Sequence, residues 1–95
     1  MSAYIIVQVE VTDAEIYETY RKQVPSTLEA FGGEFIVRGG NMEVLEGDWP
    51  MPRCVVLRFP DMEKARAWHA SDAYAGPKAI RQTASRANSI VIEGA

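Results

Sequence analysis

The sequence predicts an α+β fold, a four-stranded antiparallel sheet with its helices packed on one face, in the chain order β-α-β-β-α-β. Three observations predict it. The segment from Gly32 to Asp61 reads as two extended runs and their connection, with no helical period between them. One strand–helix unit precedes this hairpin, and one helix–strand unit follows it. A repeated βαβ plan has no room for the central hairpin, whereas the split βαβ order, the ferredoxin-like plan, is built around it.

The first strand is Ala3–Val11, where Ile5, Val7, Val9 and Val11 alternate with Tyr4, Ile6, Gln8 and Glu10 on the opposite face. Thr12-Asp13-Ala14-Glu15 fits a capping box, with the Thr12 hydroxyl on an orphan amide and Glu15 reaching back. Ile16, Tyr20, Val24, Leu28 and Phe31 then recur at helical spacing. Pro25 removes a backbone donor from this helix and predicts a kink, and Gly32-Gly33 supplies a left-handed stop.

In the second strand Phe35 and Val37 share one side, and Glu34, Ile36 and Arg38 the other. Gly39-Gly40-Asn41 is turn or bulge chemistry, after which the extended pattern resumes as Met42 to Glu46. A loop with two prolines leads to the third strand, which sets Val55, Leu57 and Phe59 against Cys54, Val56 and Arg58. Asp61 caps a helix through Met62, Ala65 and Trp68 that ends near Ala70. Ser71-Asp72 caps a further turn, and Pro77 opens a last helix to Ala84. Asn88 to Glu93 is the fourth strand, with Ile90 and Ile92 facing away from Ser89 and Val91.

A chain of 95 residues is read as one domain spanning 1–95. Its 47% hydrophobic and 24% charged residues are those of an ordinary soluble globular protein. Apolar runs such as Tyr4–Val7 fall far short of the roughly 18 residues of a membrane span. With no leader pattern at the start, the expected compartment is the cytoplasm. Thirteen acids against ten scattered bases, a net charge of −3, argue against a nucleic-acid partner. The single cysteine, Cys54, rules out an intrachain disulfide and a Cys-based zinc site, and reads as a small buried hydrophobe. No metal and no cofactor is expected.

Collecting the strands assigns Ile5, Val7, Val9, Phe35, Val37, Val55, Leu57, Phe59, Ile90 and Ile92 to the helix-covered face, a complete core. The other face receives Ile6, Gln8, Ile36, Arg38, Cys54, Val56, Arg58 and Val91, too apolar for water and too polar for a dry core. Two protomers stacking these faces resolve the conflict, with the apolar side chains sealing the edge and the polar ones lining a cavity. The predicted partner is therefore a second copy of the chain, and the predicted ligand is a small molecule. Arg38 is the leading ligand-binding candidate, because its fork of donors beside a glycine pair fits a carboxylate or enolate oxygen. The competing role for Arg38 is an ion pair with Glu10 or Glu46. Gln8 shares its face, and Tyr20, Trp68 and Tyr74 are the aromatic candidates, as packing or as a substrate platform. His69, the only histidine, reads as a helix-end surface residue.

An ordered set of residues carries a family resemblance over nearly the whole chain. It comprises Asp13, Tyr17 and Tyr20, then Gly32-Gly33, Arg38-Gly39-Gly40, Glu46-Gly47, Phe59-Pro60, Ala65-Arg66-Ala67, Ser71, Tyr74 and Arg81. In these the chain resembles the family known as domain of unknown function 1330, similar in turn to the dimeric α/β-barrel superfamily. Other branches of that superfamily include cofactor-independent monooxygenases, lactone isomerases and haem-binding enzymes. The resemblance implies the dimer without assigning a reaction. His69 departs from the family pattern, so no catalytic histidine is carried over. Three functions follow as expectations: a small-molecule-binding dimer acting on a carbonyl or aromatic acid compound; a cofactor-independent monooxygenase or isomerase using Arg38, Gln8 and a tyrosine; and a structural or stress-related dimer without turnover.

Overall fold

In the computed structural model, which describes residues 1–95, strand β1 (Ala3–Val11) is the hub of the sheet. Helix α1 (Ala14–Leu28) leads from it to the edge strand β2 (Glu34–Arg38), which pairs with β3 (Arg53–Phe59). Two helices, α2 (Met62–His69) and α3 (Asp72–Ala84), then return the chain to β4 (Ser85–Glu93). All pairings are antiparallel, and the strand order is β2-β3-β1-β4. This is the expected ferredoxin-like sheet, with the second crossover divided into two helices.

The caps explain the helix starts. The Asp61 carboxylate accepts from Lys64 N at 2.8 Å, as expected. The first helix is capped by Asp13, which accepts from Ile16 N at 3.1 Å, and not by Thr12. The Thr12 and Asp13 amides are engaged elsewhere, both donating to Ala84 O and tying the start of α1 to the end of α3. Ser71 Oγ accepts from Tyr74 N, so α3 begins at Asp72 and carries Pro77 inside it instead of at its start. After a short 3-10 turn, Gly32 ends the first helical segment at φ +68°, the left-handed stop that glycine adopts without strain.

Three expectations about strands need correction. Residues 40–52 form no strand, because β2 is the sheet edge and β3 starts only at Arg53, leaving Met42–Glu46 nothing to pair with. Met42, Val44, Leu45 and Trp49 are left exposed there. The phase of β4 is also reversed. Val91 stands opposite Ile5 and faces the helices, while Ile90 and Ile92 oppose Ile6 and Tyr4 on the open face. Finally, β2 carries a bulge: Phe35 opposes Leu57 and Val37 opposes Val56, so Ile36 is the extra residue. Beyond it the alternation inverts. Val37 turns to the open face, and Arg38, opposite Val55, turns to the helix side.

The core lies between the sheet and the helices. Ile5, Val24, Leu28, Leu57, Phe59, Trp68 and Tyr74 pack together, with Val9, Tyr17 and Ala84 as a smaller cluster at one end. The buried Trp68 indole keeps its hydrogen bond by donating to Thr27 Oγ1 at 2.9 Å. On the open face Ile90 and Ile92 are 56% and 48% exposed, Cys54 is half-buried, and Arg58 pairs with its cross-strand neighbour Glu34. No helix is long and apolar enough to cross a membrane.

Candidate functional site

A cavity between the sheet and the helices collects four of the seven arginines of an otherwise acidic chain, and no aspartate or glutamate lines it. Each arginine comes from a different element. Arg21 is on α1, Arg38 ends β2, Arg53 begins β3 and Arg81 lies on α3.

Local sequence sets Arg38 and Arg53. The bulge at Ile36 swings Arg38 to the helix side, where its guanidinium lies 4.2 Å from the Phe35 ring centroid. Pro25 has no N–H for the Arg21 carbonyl, and Arg38 Nη2 donates to that carbonyl at 2.7 Å instead. Arg53 pairs with buried Val9 and so points to the helices, its guanidinium 5.8 Å from the Tyr17 ring centroid. It also lies against Gly39, where φ is +71° and an added Cβ would come within 2.2 Å of the guanidinium. A side chain at that turn would push Arg53 away.

The charges are poorly compensated. Glu18 pairs with Arg21 at 3.0 Å, and the other ion pairs of the chain, Glu34 with Arg58 and Glu10 with Arg86, lie outside the cavity. Arg38, Arg53 and Arg81 therefore have no carboxylate, and the competing role for Arg38, an ion pair with Glu10 or Glu46, is not taken up: Glu10 pairs with Arg86 and Glu46 with no base. Arg81 is only 9% exposed; its carbonyl accepts from Ser85 Oγ, but its guanidinium donates no hydrogen bond within the chain. The Nε atoms of Arg21 and Arg53 are fully buried and have no hydrogen-bond partner.

Aromatic side chains form the wall. Tyr17 and Tyr20 rings lie 5.3 Å apart, the Tyr20 and Tyr74 hydroxyls are 3.0 Å apart, and Tyr74 stacks on Trp68 at 3.9 Å. Burial, the neighbouring Tyr74 phenol and their hydrogen bond hold the Tyr20 hydroxyl far above the usual phenol range, so it stays protonated. His69 stands at the rim, its ring 6.0 Å from that of Tyr74. Burial first, then Lys78 and Arg81, push its pKa below the ordinary 6.5 and favour the neutral imidazole. The free space amounts to about 30 Å³, room for a water or two, so a larger guest enters by displacing a side chain. Arg38 is the exposed member of the four, held by its bond to the Arg21 carbonyl and its place over Phe35.

Four of the five residues singled out in the sequence, Arg38, Tyr20, Trp68 and Tyr74, meet in this cavity. Gln8 does not: it opposes Cys54 and Asn88 on the open face. This cavity lies within one protomer, between the sheet and the helices, on the side away from Gln8. Sequence reasoning missed Arg21, Arg53, Arg81, Tyr17 and His69 as lining residues. Arg81 was detectable, because it lies seven residues after Tyr74, two helical turns along the same face. It is also among the marks of the family resemblance, with Tyr17, Tyr20, Arg38 and Tyr74.

Residues 2–95 match the family described as Domain of unknown function (DUF1330). The chain belongs to that family. No curated protein matches the sequence. Among solved structures, the DUF1330 chain is similar to RPA0582 of Rhodopseudomonas palustris, a protein of unknown function. The TM-score is 0.80 at 17% identity, over 99% of this chain and 82% of that one. A dimeric ferredoxin-like protein of unknown function from Jannaschia sp. CCS1 gives 0.80 at 13% identity, over 99% and 100%. SnoaB of Streptomyces nogalater, a cofactor-independent oxygenase, gives 0.64 at 9% identity, over 99% and 93%. At these identities the likeness is one of fold.

Proposed function

We propose that this DUF1330 protein is a homodimer that binds a small organic anion, an aromatic acid or an enolisable carbonyl compound, in the helix–sheet cavity of each protomer. The observation that carries this reading is Arg81, buried in a cavity that holds other guanidinium groups and no carboxylate. A buried charge without a partner costs several kcal/mol, roughly, and an anionic ligand removes that cost. Tyr17, Tyr20 and Tyr74 offer ring faces and hydroxyls to the body of such a ligand.

Dimerisation through the open sheet face is supported by its exposed Val37, Ile90 and Ile92 and by the dimeric Jannaschia neighbour. The molecule is a slab with extents of 33 × 31 × 17 Å, and its broad face is large enough for the roughly 800 Å² per partner of a stable interface. Cofactor-independent turnover is the second reading, favoured by the fold shared with SnoaB and by Arg81 beside paired hydroxyls, which would stabilise an enolate oxygen.

A thermal-shift comparison of benzoate-type acids with their amides tests binding. Acids are expected to raise the melting temperature and amides to leave it unchanged. A protein indifferent to both is a scaffold. Oxygen uptake with a bound enolisable acid then separates enzyme from binder.

A further inference from the structure

We infer that the head group of the ligand is a dianion, a phosphoryl group or a pair of carboxylates, rather than a single carboxylate. This deepens the proposed anion-binding function and rests on it. Glu18 neutralises Arg21, which leaves the guanidinium groups of Arg38, Arg53 and Arg81 without a counter-charge around one small cavity. A single carboxylate satisfies one guanidinium through two parallel hydrogen bonds, and would leave two like charges lining the same partly buried space. A dianion with three or four oxygens takes donors from all three.

The donor inventory agrees with the charge count. A guanidinium carries five N–H donors. Arg38 gives one to the Arg21 carbonyl, Arg81 gives none within the chain, and the Arg53 Nε is buried without an acceptor. The Arg21 Nε is a further free donor despite its ion pair. No lysine lines the cavity, so its positive charge is carried by planar forks suited to flat or tetrahedral oxyanions.

Calorimetric titration of the intact protein at pH 7.5 and fixed ionic strength, with phenyl phosphate, phthalate and benzoate, tests this. At that pH phenyl phosphate is a dianion, its second pKa being about 6. At least one dianion is expected to bind about tenfold or more tighter than benzoate, and whichever it is identifies phosphoryl or paired carboxylates as the head group. Arg38 is exposed, so Arg38→Gln should fold; it is expected to weaken the preferred dianion about tenfold while changing benzoate by less than about threefold. In the native protein the dianion should shift the Nε–H resonances of both Arg21 and Arg53. Benzoate binding as tightly as both dianions would overturn the dianion while sparing the anion site. Failure of all three to bind would overturn both.

Discussion

Arg38 donates through Nη2 to the Arg21 carbonyl at 2.7 Å, and that carbonyl is available because Pro25, four residues on, has no N–H for it. A proline that interrupts the α1 ladder thereby anchors a cavity arginine from a different strand. Pro25→Ala supplies the missing amide, which competes with Arg38 for one acceptor. The variant is expected to keep or raise its denaturation midpoint, since proline is a poor helix-interior residue. Its affinity for the anion should fall about fivefold, the equivalent of one hydrogen bond of about 1 kcal/mol. Calorimetry checks this, and unchanged affinity would mean that the anchor does not matter for binding.

Tyr20 and Tyr74 share one hydrogen bond at 3.0 Å in a part-buried setting, and Tyr74 is further held by its stack on Trp68. Tyr20→Phe and Tyr74→Phe are each expected to cost about 1 kcal/mol. Because either change removes the same bond, the double variant should cost clearly less than the sum. Strict additivity in urea denaturation would show that the two hydroxyls do not cooperate.

His69 favours its neutral form in the fold, through burial and the nearby charges of Lys78 and Arg81. Between its folded pKa and 6.5 the unfolded chain binds more protons, so stability rises with pH. The contribution is full above 6.5 and is lost as pH falls through that value towards the folded pKa. His69→Gln is expected to remove this part of the pH dependence. In an NMR titration the His69 ring should titrate below 6.5 in the free protein, and move up when an anion offsets Arg81 and Lys78. A free-state value above 6.5 would contradict the placement.

Ile90, 56% exposed on the open face, is the simplest probe of the dimer. Ile90→Asp is expected to give a folded monomer in sedimentation at micromolar concentration, where the native protein is expected to be a dimer. A dimer that persists with unchanged stability would put the interface elsewhere, such as the exposed 40–52 segment.

The sheet, the direction of its strands and the caps at Asp61 and Ser71 were legible in the sequence, because alternation and cap chemistry are local. The phase of β4 was not. Ile90, Val91 and Ile92 are all apolar, so only pairing with Ile6 and Ile5 decides which of them faces the helices. The same limit applied to Arg38. Gly39-Gly40 signalled an irregularity, but the extra residue is Ile36, ahead of the arginine, and one residue of slip sent it to the opposite face. Arg21, Arg53 and Arg81 looked scattered along the chain because their convergence is tertiary.

On the proposed function the Arg81 charge is held in reserve for an anion, and a melting curve of Arg81→Met, with and without ligand, shows whether it is. Removing a buried charge that lacks a partner should leave the free protein as stable as the native chain or more so. The same change should abolish the melting shift given by phenyl phosphate, phthalate or benzoate, a loss of roughly 2–5 kcal/mol for one half of a desolvated pair. A variant that melts lower without ligand yet keeps the native shift would mean that Arg81 stabilises the fold and does not hold the anion.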